Sequence, residues 1–354
     1  MSRSENKKNK SKVIFPIIAI LILAIAAGVT FYMIKGNNNS SKETMGDANT
    51  EQATNSPEPK KEIQIYKGTD RPIAVMIDNN TNAWPQAGIN DAYMVYEIIV
   101  EGGETRLMAL FKNVNLEKIG PVRSSRHYFI DYVMENDALY AHYGWSPQAQ
   151  SDISTYKINN INGIYEDAGY WRDKVKKAPH NALTSTEKLL AVANRRGYRT
   201  TSDATSVLNY TTDEVVLENG IDAKYVRIPY NSYNVIEFRY DETTQRYTKY
   251  AKNKKQTDLA TGNDITTKNI IITFAENYTL TDAENKGRQG LKNIGTLKGY
   301  YITNGKAIEI TCEKTDRKSK TVYKDLDGNE IKVNDGNTFV QICPQNASVT
   351  FVEK

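Results

Sequence analysis

The residues with the clearest chemical potential form a short run in which two arginines enclose a pair of serines. Arg123 and Arg126 flank Ser124 and Ser125, directly after a Gly-Pro turn at residues 120–121. A helix that begins near Ser125 would add unpaired backbone N–H groups and the positive end of its dipole. Guanidinium groups suit bidentate contact with phosphate or carboxylate. The run therefore predicts a site for a phosphate, pyrophosphate or uronate-like group.

Nearby glutamates leave a second interpretation open, in which the arginines form ion pairs inside the protein. Glu97, Glu101 and Glu104 are close enough in the sequence to supply the carboxylates. Arg106 alternates with apolar neighbours on a predicted strand, so we expect its side chain, taken alone, to face solvent. The predicted ligand-binding set adds two polar residues that follow a buried strand, and it comprises Arg123, Ser124, Ser125, Arg126, Arg106, Asp78 and Asn79.

Catalysis is the alternative to binding, and it would need a positioned acid or base. The candidates are Glu97, Glu101, His142 and His180. Positive neighbours would lower the pKa values of the two glutamates, which disfavours them as general acids. The sequence contains no phosphate-loop, HExxH, EF-hand or dinucleotide-binding motif, and Asp78, Glu97 and His142 lack the spacing of metal ligands. We therefore expect no cofactor and no metal, and binding is favoured over a hydrolase or transferase.

Apolar runs predict the strands that would position these residues. Before residue 205, strands are expected at 73–77, 92–100, 105–111 and 137–143. The glycine-rich stretch 101–104 is the predicted turn between the second and third strands. Two further stretches, 142–145 and 169–172, are typical of loops that expose aromatic side chains.

Cap residues predict where helices begin. Ser124 or Ser125 precedes an apolar helical face, and Ser146 is followed by proline at the first helical position. Thr184 and Glu187 form a capping box before a third helix. His180 lies in a turn before that helix, where a histidine is more often a structural hydrogen-bonding residue than a base.

After residue 220 the sequence predicts almost only strands and turns. We therefore expect an α+β domain at 63–205, followed by a β-rich C-terminal domain at 220–354. The two cysteines, Cys312 and Cys343, both lie in strand-like runs of the second region. They could form a disulfide or remain as two buried thiols.

The N-terminal region predicts a membrane anchor in front of these domains. Residues 13–34 are apolar and uncharged, and they are long enough to span the membrane as one helix. Five basic residues precede this run, so the tail 1–12 is expected in the cytoplasm and the body outside. Residues 35–62 are polar and predict a disordered tether. A cleaved signal peptide, with residues 24–26 as its cleavage site, is the alternative.

The charge distribution argues against a nucleic-acid partner. The net charge of +4 comes from residues 1–61, which contain nine basic and five acidic residues. The 37 basic and 37 acidic residues that remain cancel, so the body lacks the broad basic surface of a nucleic-acid binder. The expected partners are the membrane and an anionic or glycan polymer of the cell envelope, and a structural envelope scaffold is a further alternative.

Several stretches together resemble the YerB-like lipoproteins of Gram-positive bacteria, a two-part family without an assigned function. The matching stretches are RPIAVMIDN (71–79), PQAGI (85–89), VYE (95–97), VEGGETR (100–106), IGPVRSSR (119–126), KAPHN (177–181) and DGNEIKVNDGNTFVQICP (327–344). The resemblance implies a cell-surface protein and supplies no catalytic residues. The sequence departs from the family in lacking a lipid-attachment cysteine, and in having ITCEK at 310–314 where a Trp-Lys pair is expected.

Overall fold

The structure, a computed structural model, describes residues 61–281 and 284–352. The predicted tail at 1–12, the predicted anchor at 13–34 and nearly all of the tether at 35–62 lie outside the described residues. Within the described ranges, no helix is long and apolar enough to cross a membrane.

Short strands make up most of the regular structure. Those in the first half of the described chain are β1 (Ile73–Asp78), β2 (Met94–Ile99), β3 (Thr105–Phe111), β4 (Leu139–His142), β5 (Asn160–Asn162), β6 (Trp171–Arg172), β7 (Ala182–Leu183) and β8 (Tyr210–Thr211). Those in the second half are β9 (Ile221–Asp222), β10 (Tyr225–Pro229), β11 (Val235–Asp241), β12 (Arg246–Ala251), β13 (Lys254–Lys255), β14 (Thr266–Thr267), β15 (Asn269–Thr279), β16 (Gln289–Lys292), β17 (Gly295–Thr303), β18 (Lys306–Lys314), β19 (Val322–Lys324), β20 (Val333–Asn334) and β21 (Thr338–Pro344).

The α-helices of the described residues all lie before residue 200. They are α1 (His127–Glu135), α2 (Pro147–Thr155) and α3 (Thr186–Arg195). Single 3-10 turns occur at Thr81–Ala83, Ile89–Asp91, Glu101–Gly103 and Asp167–Gly169. The turn at Glu101–Gly103 connects β2 to β3, as the glycines of this stretch predict.

Twelve strands of the described residues form one central sheet. Its order is β19-β18-β17-β15-β21-β2-β3-β1-β4-β5, with β16 paired to β15 and β9 to β18. β1, β4 and β5 are parallel, whereas β2 and β1 are both antiparallel to β3. β2 is parallel to β21, and β21 is parallel to β15. Strands from both ends of the described chain thus belong to the same sheet.

This shared sheet corrects the predicted fold class of an α+β domain followed by a β-rich domain. The structure is mostly β, with 40% strand and 14% helix. The pairing of β2 with β21 joins the two predicted regions through backbone hydrogen bonds. The periodicity of apolar residues predicts whether a stretch forms a strand, but it does not predict which distant strand will pair with it.

The central sheet is covered on both faces. Every residue of β1, β2 and β3 is buried, as expected for strands in the middle layer of a fold. Alternate residues point to opposite sides, so that Val75 packs in one core and Met76 in the other. Phe129 of α1 and Ile153 of α2 belong to the second core. The first core contains α3 and a smaller sheet, of order β10-β11-β12-β13, with β14 paired to β12.

The observed cap of one helix is the predicted residue, whereas the caps of the other two helices lie one or two residues from the predicted ones. Ser146 caps α2, because its Oγ accepts a hydrogen bond from the backbone N–H of Ala149 at 3.2 Å. α3 is capped by Ser185 instead of Thr184. α1 begins at His127 with Arg126 at the cap position and without a side-chain cap bond. The prediction that Ser124 or Ser125 caps this helix is therefore wrong.

Cys312 and Cys343 are both free and buried, as in the second of the two alternatives. Thr273 Oγ1 donates a hydrogen bond to the Cys312 sulfur at 3.2 Å. Burial raises the pKa of the Cys312 thiol to about 12 and also raises the pKa of the Cys343 thiol. Both side chains therefore pack as small apolar residues.

Two fully buried ion pairs connect the regions on either side of residue 210. Glu97 on β2 lies 3.0 Å from Lys249 Nζ on β12, and their side chains are 0% and 2% exposed. Glu135 on α1 pairs with Lys314 on β18 at 2.8 Å with the same exposures. A buried charge that loses its partner is strongly destabilising. The two pairs therefore require both regions to be present together.

We expect Lys249→Met to lower the free energy of unfolding by about 3–5 kcal/mol, because it leaves the carboxylate of Glu97 buried without a cation. Urea unfolding of the full-length chain measures this loss. The double variant Glu97→Gln with Lys249→Met should regain most of it, since neither buried charge then remains.

Lys255→Met is the matched control for this prediction. Lys255 pairs with Asp264 at 3.0 Å, but both side chains are well exposed, at 49% and 38%. Its loss should cost much less than the loss of Lys249, because exposed ion pairs contribute little to stability. Equal costs for Lys249→Met and Lys255→Met would show that the buried pair is not required for the fold.

Candidate functional site

The carboxyl ends of β1, β4 and β5 meet at one edge of the central sheet, which we call the carboxyl edge. These parallel strands end at Asp78, His142 and Asn162. The segment 120–125 crosses this edge, because the N–H of Arg123 donates to Met76 O and its carbonyl accepts from Tyr143 N–H, both at 2.9 Å. Ligands of open sheets with parallel strands bind at such ends.

Asp78 lies at the centre of this edge. Its Oδ2 is 2.8 Å from His180 Nδ1 and 3.1 Å from Arg123 Nε, and its Oδ1 accepts the N–H of Asn80 at 3.1 Å. An ionised carboxylate only accepts hydrogen bonds, so Nδ1 of His180 carries a hydrogen and donates it. Nε2 of His180 has no hydrogen-bond partner among the described residues. Three polar residues from distant positions in the sequence are thus brought together.

Arg123 keeps unused donors. Its Nε is near Asp78 but lacks the alignment of a hydrogen bond. Within residues 61–281 and 284–352, its two terminal nitrogens, Nη1 and Nη2, donate no hydrogen bond. The side chain is 26% exposed. This guanidinium can therefore accept an anion from solvent.

Arg106 lies buried beneath the same edge, so the prediction that it faces solvent is wrong. Only 6% of the residue is exposed, because both faces of β3 are covered. Its Nη1 donates to the carbonyl of Ser124 at 2.5 Å, and no carboxylate of the described residues lies within 4.0 Å of its nitrogens. Burial lowers the pKa of Arg106 to about 9, and the charges of Arg126 and Arg123 contribute.

Arg126 forms an internal ion pair. Its Nε and Nη2 donate to the two oxygens of Glu101 at 2.6 and 2.8 Å, a bidentate arrangement. Burial by itself would raise the pKa of Glu101, but the hydrogen bond and charge of Arg126, together with the charge of Arg106, lower it overall. The ion-pair interpretation therefore describes Arg126, whereas Arg123 has no glutamate partner.

The remaining glutamates pair with lysines and not with the arginines. Glu97 bonds to Lys249, and it also accepts hydrogen bonds from Thr105 Oγ1 at 2.8 Å and Asn79 Nδ2 at 3.0 Å. Glu104 accepts two bonds from Lys252 at 2.8 Å. Glu97 is fully buried, so it cannot reach a ligand at the surface.

Asn79 faces the protein interior. Its amide nitrogen donates to Glu97 and, at 2.7 Å, to Thr105 Oγ1. Its amide oxygen accepts from Gln86 Nε2 at 2.8 Å and from Trp84 Nε1 at 3.3 Å. These contacts give Asn79 a structural position next to Asp78, where it supports the end of β1.

The two serines of the run differ in exposure. Ser125 is fully buried, its Oγ accepts from Tyr140 OH at 2.7 Å, and its N–H donates to Gly144 O at 2.9 Å. It therefore offers no free group to a ligand. Ser124 is partly exposed, and its Oγ lies against the position that a Cβ on Gly144 would occupy.

His142 is buried, in contrast to the exposed loop predicted for residues 142–145. It is 0% exposed at the end of β4, with Nδ1 at 2.8 Å from Gly144 O and Nε2 at 3.2 Å from Asn160 Oδ1. Burial lowers its pKa to about 4, although both hydrogen bonds favour the charged ring. His142 thus supports the loop after β4 and is not accessible to a substrate.

Arg172 and Tyr143 lie at the same edge, although they were not among the candidates from the sequence. The guanidinium of Arg172 lies over the Tyr143 ring at 4.7 Å, and its Nη1 donates to Asn181 Oδ1 at 2.9 Å. Asn181 follows His180 in the chain. These residues lie in the two stretches, 142–145 and 169–172, that were predicted to expose aromatic side chains. Only the fold, however, places them beside His180 and Arg123.

The carboxyl edge has an excess of positive charge. Three guanidiniums, those of Arg106, Arg123 and Arg126, lie near two carboxylates, those of Asp78 and Glu101. In the described part of the chain, no group of three or more His, Cys, Asp or Glu side chains is placed to hold a metal ion. The arrangement therefore suits an anion.

The clearest cavities lie away from this edge. One of about 180 Å³ is lined by Arg71, Lys112 and residues of α3. A more open one of about 670 Å³ is lined by Tyr66 and Tyr210. Asp78, Arg123 and His180 do not line either of these two cavities.

Comparison with known proteins relates both regions of the chain to one family. Residues 55–199 match the family described as "Protein of unknown function (DUF3048) N-terminal domain", and residues 226–340 match its C-terminal domain. The Bacillus subtilis (strain 168) protein named "Putative lipoprotein YerB" is 30% identical over 278 residues, which cover 77% of this chain and 81% of that protein. The crystal structure of YerB from Bacillus subtilis superimposes with a TM-score of 0.72 and covers 82% of this chain and 97% of that one.

Removal of Arg126 should destabilise the protein more than removal of Arg123. Arg126→Ala leaves Glu101 without its bidentate partner, and we expect a loss of about 2 kcal/mol in the free energy of unfolding. Arg123→Ala leaves Asp78 bonded to His180 and removes a positive charge beside Arg106, so a change within about 0.5 kcal/mol is expected. Urea unfolding of both variants tests this, and a larger cost for Arg123→Ala would indicate a structural ion pair with Asp78.

Burial of His142 should make the protein less stable as the pH falls from 6.5 to 4. The unfolded chain binds a proton on this ring near its ordinary pKa of 6.5, whereas the folded protein binds it near pH 4. Since the unfolded state binds more protons in this window, stability decreases by up to about 3 kcal/mol.

The variant His142→Gln isolates this effect from the titration of carboxylates. The difference in free energy of unfolding between wild type and variant should change by about 3 kcal/mol between pH 7 and pH 4. Urea unfolding at the two pH values measures it. The same pH dependence in both proteins would contradict the buried neutral ring.

Proposed function

Since the chain belongs to the DUF3048 family and its relative YerB is named a lipoprotein, we propose that it is an extracytoplasmic protein of the cell envelope. Its role there is to bind an anionic component of the envelope at the carboxyl edge. The name of the relative supports the location. The geometry at the end of β1 supports the binding.

The single observation that carries the proposal is that Arg123 has free donor groups at a partly exposed position. Its terminal nitrogens donate no hydrogen bond to the described residues, although the guanidinium is held beside Asp78 and is partly exposed. A planar guanidinium with two free N–H groups is suited to bidentate capture of phosphate or carboxylate. Arg106 beneath it adds a buried positive charge that has no carboxylate of the described residues within 4.0 Å of its nitrogens.

Catalysis receives less support than binding. Of the two candidate glutamates, Glu97 is buried and forms an ion pair with Lys249, and Glu101 forms an ion pair with Arg126. The pair of His180 and Asp78 is the one arrangement that favours an envelope hydrolase or transferase, because Asp78 would orient His180 as a base. In the described ranges, however, no hydroxyl or thiol is hydrogen-bonded to His180 Nε2, so no protein nucleophile is in place for covalent catalysis.

We expect the full-length chain to bind inorganic polyphosphate with an affinity that falls as salt is added. Arg123→Ala should weaken this binding roughly tenfold or more, because a charge-assisted hydrogen bond is lost. Isothermal titration calorimetry at low and high ionic strength measures both effects.

Arg199→Ala is the matched control for this experiment. Arg199 is more exposed than Arg123 and already bonds to Asp137 through both carboxylate oxygens, at 2.6 and 2.8 Å. It should bind polyphosphate like the wild type. Equal losses for the two variants would indicate non-specific charge attraction, and no binding by the wild type would favour a scaffold.

A further inference from the structure

An apolar surface lies beside the carboxyl edge, formed by the exposed Ile164 and Tyr165 and the partly buried Trp145. We call these three residues the aromatic shelf. Tyr165 is 67% exposed and Ile164 is 52% exposed. The Tyr165 ring lies 5.8 Å from the Trp145 ring between centroids. Single exposed apolar side chains are ordinary, but contiguous ones mark interaction sites more often.

The shelf is held in place by the turn after β5. Asn162 Oδ1 accepts the N–H groups of Gly144 at 2.9 Å and Ile164 at 3.1 Å. The carbonyl of Asn162 accepts the N–H of Tyr165 at 2.9 Å. The backbone that carries Ile164 and Tyr165 is therefore fixed before any ligand binds, which reduces the entropy cost of binding.

The shelf is continuous with the predicted anion site. Gly144 has a φ of +83°, and a Cβ at this position would lie 3.3 Å from Ser124 Oγ and 3.8 Å from Ile164 Cγ1. Ser124 follows Arg123, and Ile164 belongs to the shelf. Ser124 Oγ and Ile164 Cγ1 thus lie on either side of the same point, so a ligand that extends from Arg123 past Ser124 would approach the shelf at Ile164.

These features match the chemistry of an anionic sugar. A pyranose ring presents C–H groups on its face, which pack on aromatic rings, and polar groups on its rim. A carboxylate or phosphate on that rim would reach Arg123. A polyphosphate chain has no apolar face, so it would use Arg123 without the shelf.

We propose that the anion bound at the carboxyl edge is carried by a glycan, and that one of its sugar rings stacks on Tyr165 of the aromatic shelf. This inference rests on the proposed function, because Arg123 supplies the contact with the charged group. It adds the ligand class, a polymer of anionic sugars, and it assigns a specificity-determining role to Tyr165.

The test compares three probes with the full-length chain in isothermal titration calorimetry. Oligogalacturonate carries its charge as carboxylate on a sugar, phosphomannan carries it as phosphate on a sugar, and inorganic polyphosphate has no sugar. Tyr165→Ala should weaken binding of the tighter of the two glycans about tenfold, while polyphosphate binding stays within about twofold. Tyr165→Phe should bind like the wild type, because the ring is retained.

Tyr278→Ala is the matched control, since Tyr278 is an exposed tyrosine (43%) on β15. Unchanged glycan binding by Tyr165→Ala, with a loss in Arg123→Ala, would overturn the sugar shelf and leave the anion site intact. Failure of the wild type to bind any of the three probes would overturn the proposed function itself. Weaker glycan binding by Tyr165→Ala, with polyphosphate binding unchanged, supports the shelf, and the glycan that the wild type prefers identifies the charged group.

Discussion

The parallel pairing of β2 with β21 is the constraint on which the rest of the structure depends. β21 comes late in the chain, yet it lies in the central sheet between β2 and β15. Each family-matched region therefore completes the sheet of the other. Glu97 lies on β2 opposite Gln341 of β21, whose Nε2 donates to it at 3.2 Å, and Lys249 neutralises its charge. A buried carboxylate is tolerated at this position only because strands from both regions supply its partners.

The same buried pair affects the electrostatics of the carboxyl edge. With Glu97 bound to Lys249 and Glu101 bound to Arg126, the carboxylate within ion-pair distance of Arg123 is that of Asp78. Like charges that remain close together are costly unless a ligand or a counter-charge is present. The positive excess at the edge thus remains because Glu97 is neutralised by Lys249 and Glu101 by Arg126, which leaves Asp78 as the carboxylate beside Arg123.

Local signals in the sequence were sufficient to predict individual elements. They were not sufficient to predict strand pairing or the burial of side chains. The strand at 105–111 has the predicted bounds, and Ser146 caps its helix, because both depend on residues only a few positions apart. The fold class was wrong because the partner of β2 comes from the other end of the chain. The exposure of Arg106 was wrong for a related reason, since alternation along a strand cannot reveal a second covering layer. Among the site candidates, Asp78, Arg123 and His180 do meet, whereas the place of Arg172 follows only from the fold.

In the proposed binding site, Asp78 is the residue that connects His180 and Arg123. It holds His180 through a hydrogen bond of 2.8 Å, whereas its contact with Arg123 Nε at 3.1 Å lacks hydrogen-bond alignment. An anion can therefore engage the terminal nitrogens of Arg123 while Asp78 keeps both His180 and the backbone of Asn80 as partners. Binding then needs little rearrangement of the protein, because the end of β1 fixes Asp78 and the segment 120–125 fixes Arg123 on the same sheet. Preorganisation of this kind converts more of the interaction energy into affinity, and here it depends on the central sheet that both regions of the chain build together.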